Sequence, residues 1–273
     1  MSDDRRLLPA NGRVARKGLE GRVSADRYVE GTWRRVQAPH CDIRAGPEGP
    51  RDRQLLHGAR FLALDEEGHM TFGQAEFDGY VGWVDTAALG PDTAPDYIVS
   101  TRATHAYAAP DIKSGDRAAL SLGALLPGHP IGTGFVETPL GFVPAQHLSA
   151  APSPEADPVV VAELLLGAPY LWGGNTAFGL DCSGLTQAAY RACGITIAGD
   201  SDLQAAGGRA VPDGAPLRRG DLVFWPGHVA MVRDDQTFIH ANAHHMSVTI
   251  EDIDRTIGRI PDPVSARRRY LPD

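Results

Sequence analysis

The sequence predicts a multidomain chain: two small all-β barrels followed by an α+β domain. Three observations carry this. A strand-rich unit of about 50 to 60 residues occurs twice in the first half. The run Ala150-Ala151-Pro152-Ser153-Pro154-Glu155-Ala156-Asp157-Pro158 then reads as a linker. Beyond it, helical spacing follows Cys182, whereas Leu222-Val223-Phe224-Trp225 and Val229-Ala230-Met231-Val232 read as strands. The boundaries follow: 1–93 for an amino-terminal arm and the first barrel, 94–152 for the second barrel and linker, 153–273 for the α+β domain.

The first roughly 30 residues are polar and basic and read as an extended arm. Residues 34–89 are short strands broken by Gly, Pro and Asp. Gly79-Tyr80-Val81-Gly82-Trp83-Val84 is one of them, ending in Asp85-Thr86-Ala87-Ala88-Leu89. In the second copy, residues 103–110 parallel 37–47, residues 122–126 parallel 56–61, and residues 141–148 parallel 82–89. In the last domain, residues 159–166 form a first helix. After Cys182, Leu185, Ala188, Ala189 and Ala192 repeat at helical spacing, and Gly194 stands where a left-handed cap belongs. Asp181 is the N-cap, which puts Cys182 in the first turn. Ahead of it, Trp172-Gly173-Gly174-Asn175 and Gly179 let backbone come close to a ligand.

That placement matters for chemistry. A helix N-terminus lowers a thiol's pKa and favours the nucleophilic thiolate. Cys182 alone decides nothing, because free cysteines are commonly just small buried residues. The histidines change the argument. Thr237-Phe238-Ile239 reads as a returning strand, with Arg233-Asp234-Asp235-Gln236 as the turn. A hairpin symmetric about Asp234 places His228 directly opposite His240, with Cβ atoms about 5 Å apart. One then serves as base to Cys182, and the other orients it and fixes its tautomer.

Composition bounds the function. The chain has 273 residues, 42% of them hydrophobic, 31 glycines and a net charge of −8. That charge argues against nucleic acid or an anionic membrane as partner. No apolar run approaches a membrane span. The amino-terminal run Met1-Ser2-Asp3-Asp4-Arg5-Arg6-Leu7-Leu8-Pro9 lacks the apolar core of a secretion signal, so a cytoplasmic location is expected. Cys41, Cys182 and Cys193 are an odd set without metal-ligand spacing. Cys182 and Cys193 lie about 16 Å apart along one helix, too far to bridge. His244 and His245 follow His240 but lack further ligands at zinc spacing, so neither metal nor cofactor is implied. The other histidines read as surface or packing residues, and Arg267-Arg268-Arg269 as a solvated charge run.

Five segments together resemble the NlpC-type, papain-like cysteine peptidases of the bacterial cell wall. They are Gly167-Ala168-Pro169-Tyr170-Leu171-Trp172-Gly173-Gly174, Asp181-Cys182-Ser183-Gly184-Leu185, Arg219-Gly220-Asp221-Leu222-Val223-Phe224-Trp225, Gly227-His228-Val229-Ala230 and Ile239-His240-Ala241. The two barrels resemble the bacterial SH3-like domains that precede such peptidases. The resemblance implies a γ-D-glutamyl-L-diamino acid endopeptidase acting on peptidoglycan stem peptides, in wall recycling. It implies Cys182 as nucleophile, His228 as base, His240 as orienting residue and Tyr170 at the oxyanion. Asp181 and Ser183 would bind the substrate's free amine, with Tyr80, Trp172, Asp200 and Gln204 completing the substrate pocket. Asp181 also stands as a plain helix cap. Two departures are visible: Ala59 replaces a glutamate of the first barrel, and Gly199 replaces an arginine ahead of Asp200. A related cysteine amidase or acyltransferase, or a wall-fragment binding protein without catalysis, remains the alternative.

Overall fold

Short apolar runs punctuated by glycine build strands throughout the first half, and helical periodicity begins only after the linker. The computed structural model describes residues 4–132 and 134–272. Met1, Ser2 and Asp3 of the amino-terminal run, Thr133, and Asp273 at the end of the α+β domain lie outside the described residues. Among the described residues are 25 strands and four α-helices, so the protein is mostly sheet. None of these helices is long and apolar enough to cross a membrane. The chain divides into two compact units, Met1–Pro152 and Ser153–Asp273.

In the first unit the amino-terminal segment is folded rather than merely extended. Strands β1 (Val14–Arg16) and β2 (Arg27–Val29) pair in parallel. Val14 is fully buried among Leu62, Leu64, Phe72 and Trp83. The buried Asp65 carboxylate ties the segment down, accepting from Asn11, Arg13 and Arg27. Then come β3 (Thr32–Val36), β4 (His40–Arg44), β5 (Arg51–Leu56), β6 (Arg60–Glu67), β7 (Met70–Ala75), β8 (Val81–Asp85) and β9 (Leu89–Gly90). They form one sheet in the order β5-β4-β8-β7-β6-β3-β9. Alternate residues from these strands, Val36, Ile43, Phe61 and Val84 among them, meet in its core.

The following strands are β10 (Tyr97–Val99), β11 (Ala103–Tyr107), β12 (Asp116–Ser121), β13 (Leu125–Leu126), β14 (His129–Ile131), β15 (Phe135–Thr138), β16 (Gly141–Pro144) and β17 (Leu148–Ala150). They pair as β12-β11-β16-β15-β14 and β13-β10-β17. This is the strand order of the preceding sheet, with the counterpart of β6 split into β13 and β14. The split falls at Pro127, which has no N–H to give a ladder.

The second unit opens with α1 (Pro158–Leu164), capped by Asp157 through a 2.8 Å bond from Val159 N–H. The helix stops short of Leu166, because the chain turns at Leu165 into Gly167, at φ 77°. Two short strands, β18 (Asn175–Thr176) and β19 (Gly179–Leu180), lead into α2 (Cys182–Ala192). Leu185, Ala189 and Tyr190 bury its apolar face completely. Gly194, at φ 72°, closes α2: Ile195 N–H reaches Tyr190 O and Gly194 N–H reaches Arg191 O, the two bonds of a Schellman cap.

After α3 (Ser201–Ala206) come β20 (Arg209–Ala210), β21 (Leu222–Trp225), β22 (His228–Val232), β23 (Thr237–Asn242), β24 (Ser247–Asp252), α4 (Ile253–Arg259) and β25 (Ala266–Arg269). The sheet is antiparallel, in the order β20-β25-β21-β22-β23-β24. The arginine run is therefore not a free surface run, and its side chains are half-buried. It is β25, inside the sheet. Arg269 grips Asp221, which is 1% exposed, through two 2.6 Å bonds. Arg268 donates to Ala205 O, and Arg267 pairs with Asp213. A buried carboxylate requires such a partner.

Candidate active site

Cys182 opens α2 because Asp181 caps it. One carboxylate oxygen of Asp181 accepts from Gly184 N–H at 2.6 Å and from the Ser183 hydroxyl at 3.0 Å. The other accepts from Gly173 N–H at 2.9 Å. Asp181 is 8% exposed, so these three donors meet its charge where water does not. The glycines are sterically required. A Cβ on Gly184 would lie 2.2 Å from Gly174 O, and Gly173 sits at φ 70°.

The thiol differs from the expectation of a lowered pKa. Burial pushes Cys182 up to about 12, and the Asp181 charge adds to the rise. Backbone N–H groups of Val229, Ser183 and Cys182 itself pull the other way without prevailing. The helix N-terminus is present, but desolvation outweighs it. Cys182 therefore rests as a neutral thiol at ordinary pH, and only a base would make it a nucleophile.

Two histidines stand together on the sheet of the same unit. His228 Nε2 lies 3.0 Å from His240 Nδ1. The pairing arises from a different register than expected. Met231 faces Ile239 and Val232 faces Phe238, whereas symmetry about Asp234 would set Met231 against Thr237. The turn is longer because Asp234 Oδ1 accepts from the Gln236 and Thr237 amides. The two-residue shift preserves the face, since side chains alternate with period two. His228 and His240 are diagonal neighbours, still within reach of each other. Burial, reinforced by His240, lowers His228 to about 3. Burial also lowers His240, to about 4, against the opposing pull of Glu251.

Glu251 and Arg259 escaped the sequence reading. Glu251 faces Phe238 across β23 and β24, and so shares a sheet face with His240. His240 Nε2 is 3.1 Å from Glu251 Oε2. Arg259, in the last turn of α4, holds both oxygens of that carboxylate. The available signal was an acidic residue at a same-face position on the strand after His240.

The remaining expected residues divide. Tyr170 borders the thiol: burial raises its pKa, and the nearness of Cys182 and Asp181 raises it further. Trp172 is 69% exposed beside it in sequence. Ser183 is buried, its hydroxyl given to Asp181. Gln204 differs from the pocket role expected of it. It is wholly buried, its carboxamide joined to Thr186, Ser183 O and Ala198 O, and it braces the start of α2. Asp200 is the N-cap residue of α3 and half-buried. Tyr80 belongs to the first unit, where its ring is 2% exposed and Arg53 lies over it at 5.7 Å. His244 and His245 stack edge to face, and among the described residues no group of His, Cys, Asp and Glu could hold a metal ion.

A helix-initial cysteine and a histidine pair on an antiparallel sheet define a papain-like domain of the cysteine-hydrolase class. Residues 167–259 match the NlpC/P60 family, and residues 43–89 match the bacterial dipeptidyl-peptidase SH3 domain. A γ-D-glutamyl-L-lysine dipeptidyl-peptidase of Bacillus cereus (strain ATCC 10987 / NRS 248) is 41% identical over 130 residues. That alignment covers 44% of this chain and only 38% of the relative. A protein of the same name from Bacillus subtilis (strain 168) is 26% identical over 75% of this chain and 76% of its own length. The crystal structure of an NlpC/P60 family protein from B. cereus ATCC 10987 superposes with a TM-score of 0.74 at 23% identity. It covers 88% of this chain and all of that one, and it shares the fold.

Proposed function

We propose that the chain is a cysteine endopeptidase that hydrolyses the γ-D-glutamyl–diamino acid bond of peptidoglycan stem peptides. The observation that carries this is the 3.0 Å His228–His240 bond within an NlpC/P60 domain whose α2 begins at Cys182. The relatives' names support the substrate class and suggest L-lysine as one diamino acid. In this reading Cys182 Sγ attacks the amide carbonyl while its proton passes to His228. The C–N bond breaks, the leaving amine takes that proton, and a thioester remains. Water, deprotonated by His228, attacks the thioester carbonyl; the C–S bond breaks, the acid leaves, and the proton on His228 returns to Sγ. The Cys182 N–H and the Tyr170 hydroxyl donate to the oxyanion.

Asp181 and Ser183 receive the free ammonium of the peptide's first residue, with Trp172 and Asp200 as further substrate contacts. Because Asp181 already has three donors, an ammonium adds to its partners rather than completing them. Acetylating that amine is therefore expected to cost about 2 kcal/mol, roughly 30-fold in kcat/KM, the low end for an unpaired charge. We further infer that residues 94–152 are a second SH3-like barrel, and that the enzyme trims released wall peptides in the cytoplasm. The test is incubation with L-Ala-γ-D-Glu-L-Lys, its diaminopimelate analogue and their N-acetylated forms, with products identified by mass spectrometry. Release of L-Ala-D-Glu is expected, lost in Cys182→Ala and kept in Cys193→Ala. Preferred cleavage of intact wall fragments would overturn the recycling role, and an unaltered Cys182→Ala would overturn the mechanism.

A further inference from the structure

A line of hydrogen bonds runs from α4 to the nucleophile's base, and the chemistry at one end settles the protons along it. Arg259 Nε donates to Glu251 Oε1 at 2.9 Å and Nη2 to Oε2 at 2.8 Å. Burial alone would raise Glu251, but the bonds from Arg259 and His240 outweigh it and bring the carboxyl to about 2. An ionised carboxylate only accepts. His240 Nε2, 3.1 Å from Oε2, must therefore carry a hydrogen. His240 is neutral at ordinary pH and has one ring proton, so its Nδ1 is a bare acceptor. His228 Nε2, 3.0 Å away, must then be the donor, which leaves the lone pair of His228 on Nδ1.

We propose that Glu251, held by Arg259, is a positioning residue that fixes the tautomers of both histidines and leaves His228 Nδ1 as the base for Cys182. As the S–C bond forms, the thiol proton moves to Nδ1, and as the C–N bond breaks the same proton moves to the leaving amine. The imidazolium between those steps is backed through His240 by the carboxylate. The other groups facing Glu251 are Arg259 from α4 and His245, whose Nδ1 is 3.9 Å from Oε2. Without the carboxylate, His240 is free to carry its proton on Nδ1. It would then donate to His228 Nε2 and force the His228 proton onto the nitrogen needed as base.

This inference rests on the peptidase reading above, and two measurements separate them. Imidazole 15N NMR of the Cys182→Ala protein reads tautomers without turnover. Both histidines are expected as Nε2–H forms, with Nδ1–H appearing at His228 once Glu251→Ala is added. Kinetically, Glu251→Ala should lower kcat about 10- to 100-fold with KM nearly unchanged. Glu251→Gln, which keeps an acceptor and the fold, should restore much of that loss. In a His240→Ala background, removing Glu251 should cost less than about twofold, because the two act through one path. Unshifted tautomers, or an equally large loss without His240, would overturn the positioning role while leaving the peptidase reading intact. An enzyme that cuts no stem peptide yet shows the tautomer shift would overturn only the latter.

Discussion

Cys182 meets two opposed fields. Amides at the start of α2 favour the thiolate, whereas burial and Asp181 favour the thiol, and the second pair prevails at about 12. Below that value the deprotonated fraction grows about tenfold per pH unit. Inactivation by iodoacetamide should therefore climb steadily from about pH 6 to about pH 9. A plateau beginning below about pH 7 would reveal a resting thiolate and contradict this picture. The position of Cys182 was legible, since a capping Asp181 precedes helical spacing. Its ionisation was not, because burial is imposed by residues far away in sequence. Glu251 was hidden for the same kind of reason: its nearness to His240 depends on the β23–β24 register, which no local motif states.

Among the elements, α2 was legible from cap to cap, and the β22–β23 hairpin only in parity. Asp234 lengthened the turn, yet an even displacement kept both histidines on one face. The first turn of α2 tolerates far less. An added Cβ at Gly184 would meet the Gly174 carbonyl at 2.2 Å, and that carbonyl, which already accepts from Asp181 N–H, has little room to yield. Gly184→Ala should lower stability by about 1–3 kcal/mol, measured by urea denaturation. The displaced thiol should lower kcat by about 100-fold. Wild-type kcat in this variant would mean that the turn is softer than its packing indicates.

For the whole molecule, the compact units divide between Pro152 and Ser153, within the run 150–158 that is rich in proline and alanine. Acid sensitivity was not readable, because it comes from the burial of His228 and His240 and from the bonds that Arg259 and His240 make to Glu251. His228 and His240 titrate at about 3 and about 4 when folded, against an ordinary 6.5. Glu251 titrates at about 2 against 4.5. All three are depressed, so the unfolded chain binds these protons first. Their contribution is complete above pH 6.5, falls as the histidines of the unfolded chain protonate, and falls further below 4.5 as Glu251 joins. The melting temperature should drop between pH 7 and pH 4, and His228→Ala should flatten that drop. A melting temperature that rises on acidification would show that the histidines are not buried, or Glu251 not paired, as described.

The strand β25 gives the second unit a schedule as well as a shape. Asp221 lies at the head of β21, and Arg269, which neutralises it, is made 48 residues later. On a ribosome, β21 to β24 can form hairpins as they emerge, since each pairs with its successor. Until β25 follows, one edge of β21 stays open and the Asp221 carboxylate must remain hydrated. The nascent unit thus carries Cys182, His228 and His240 before β25 completes its sheet. On that order of synthesis, the two histidine strands can pair before the charge of Asp221 has its partner.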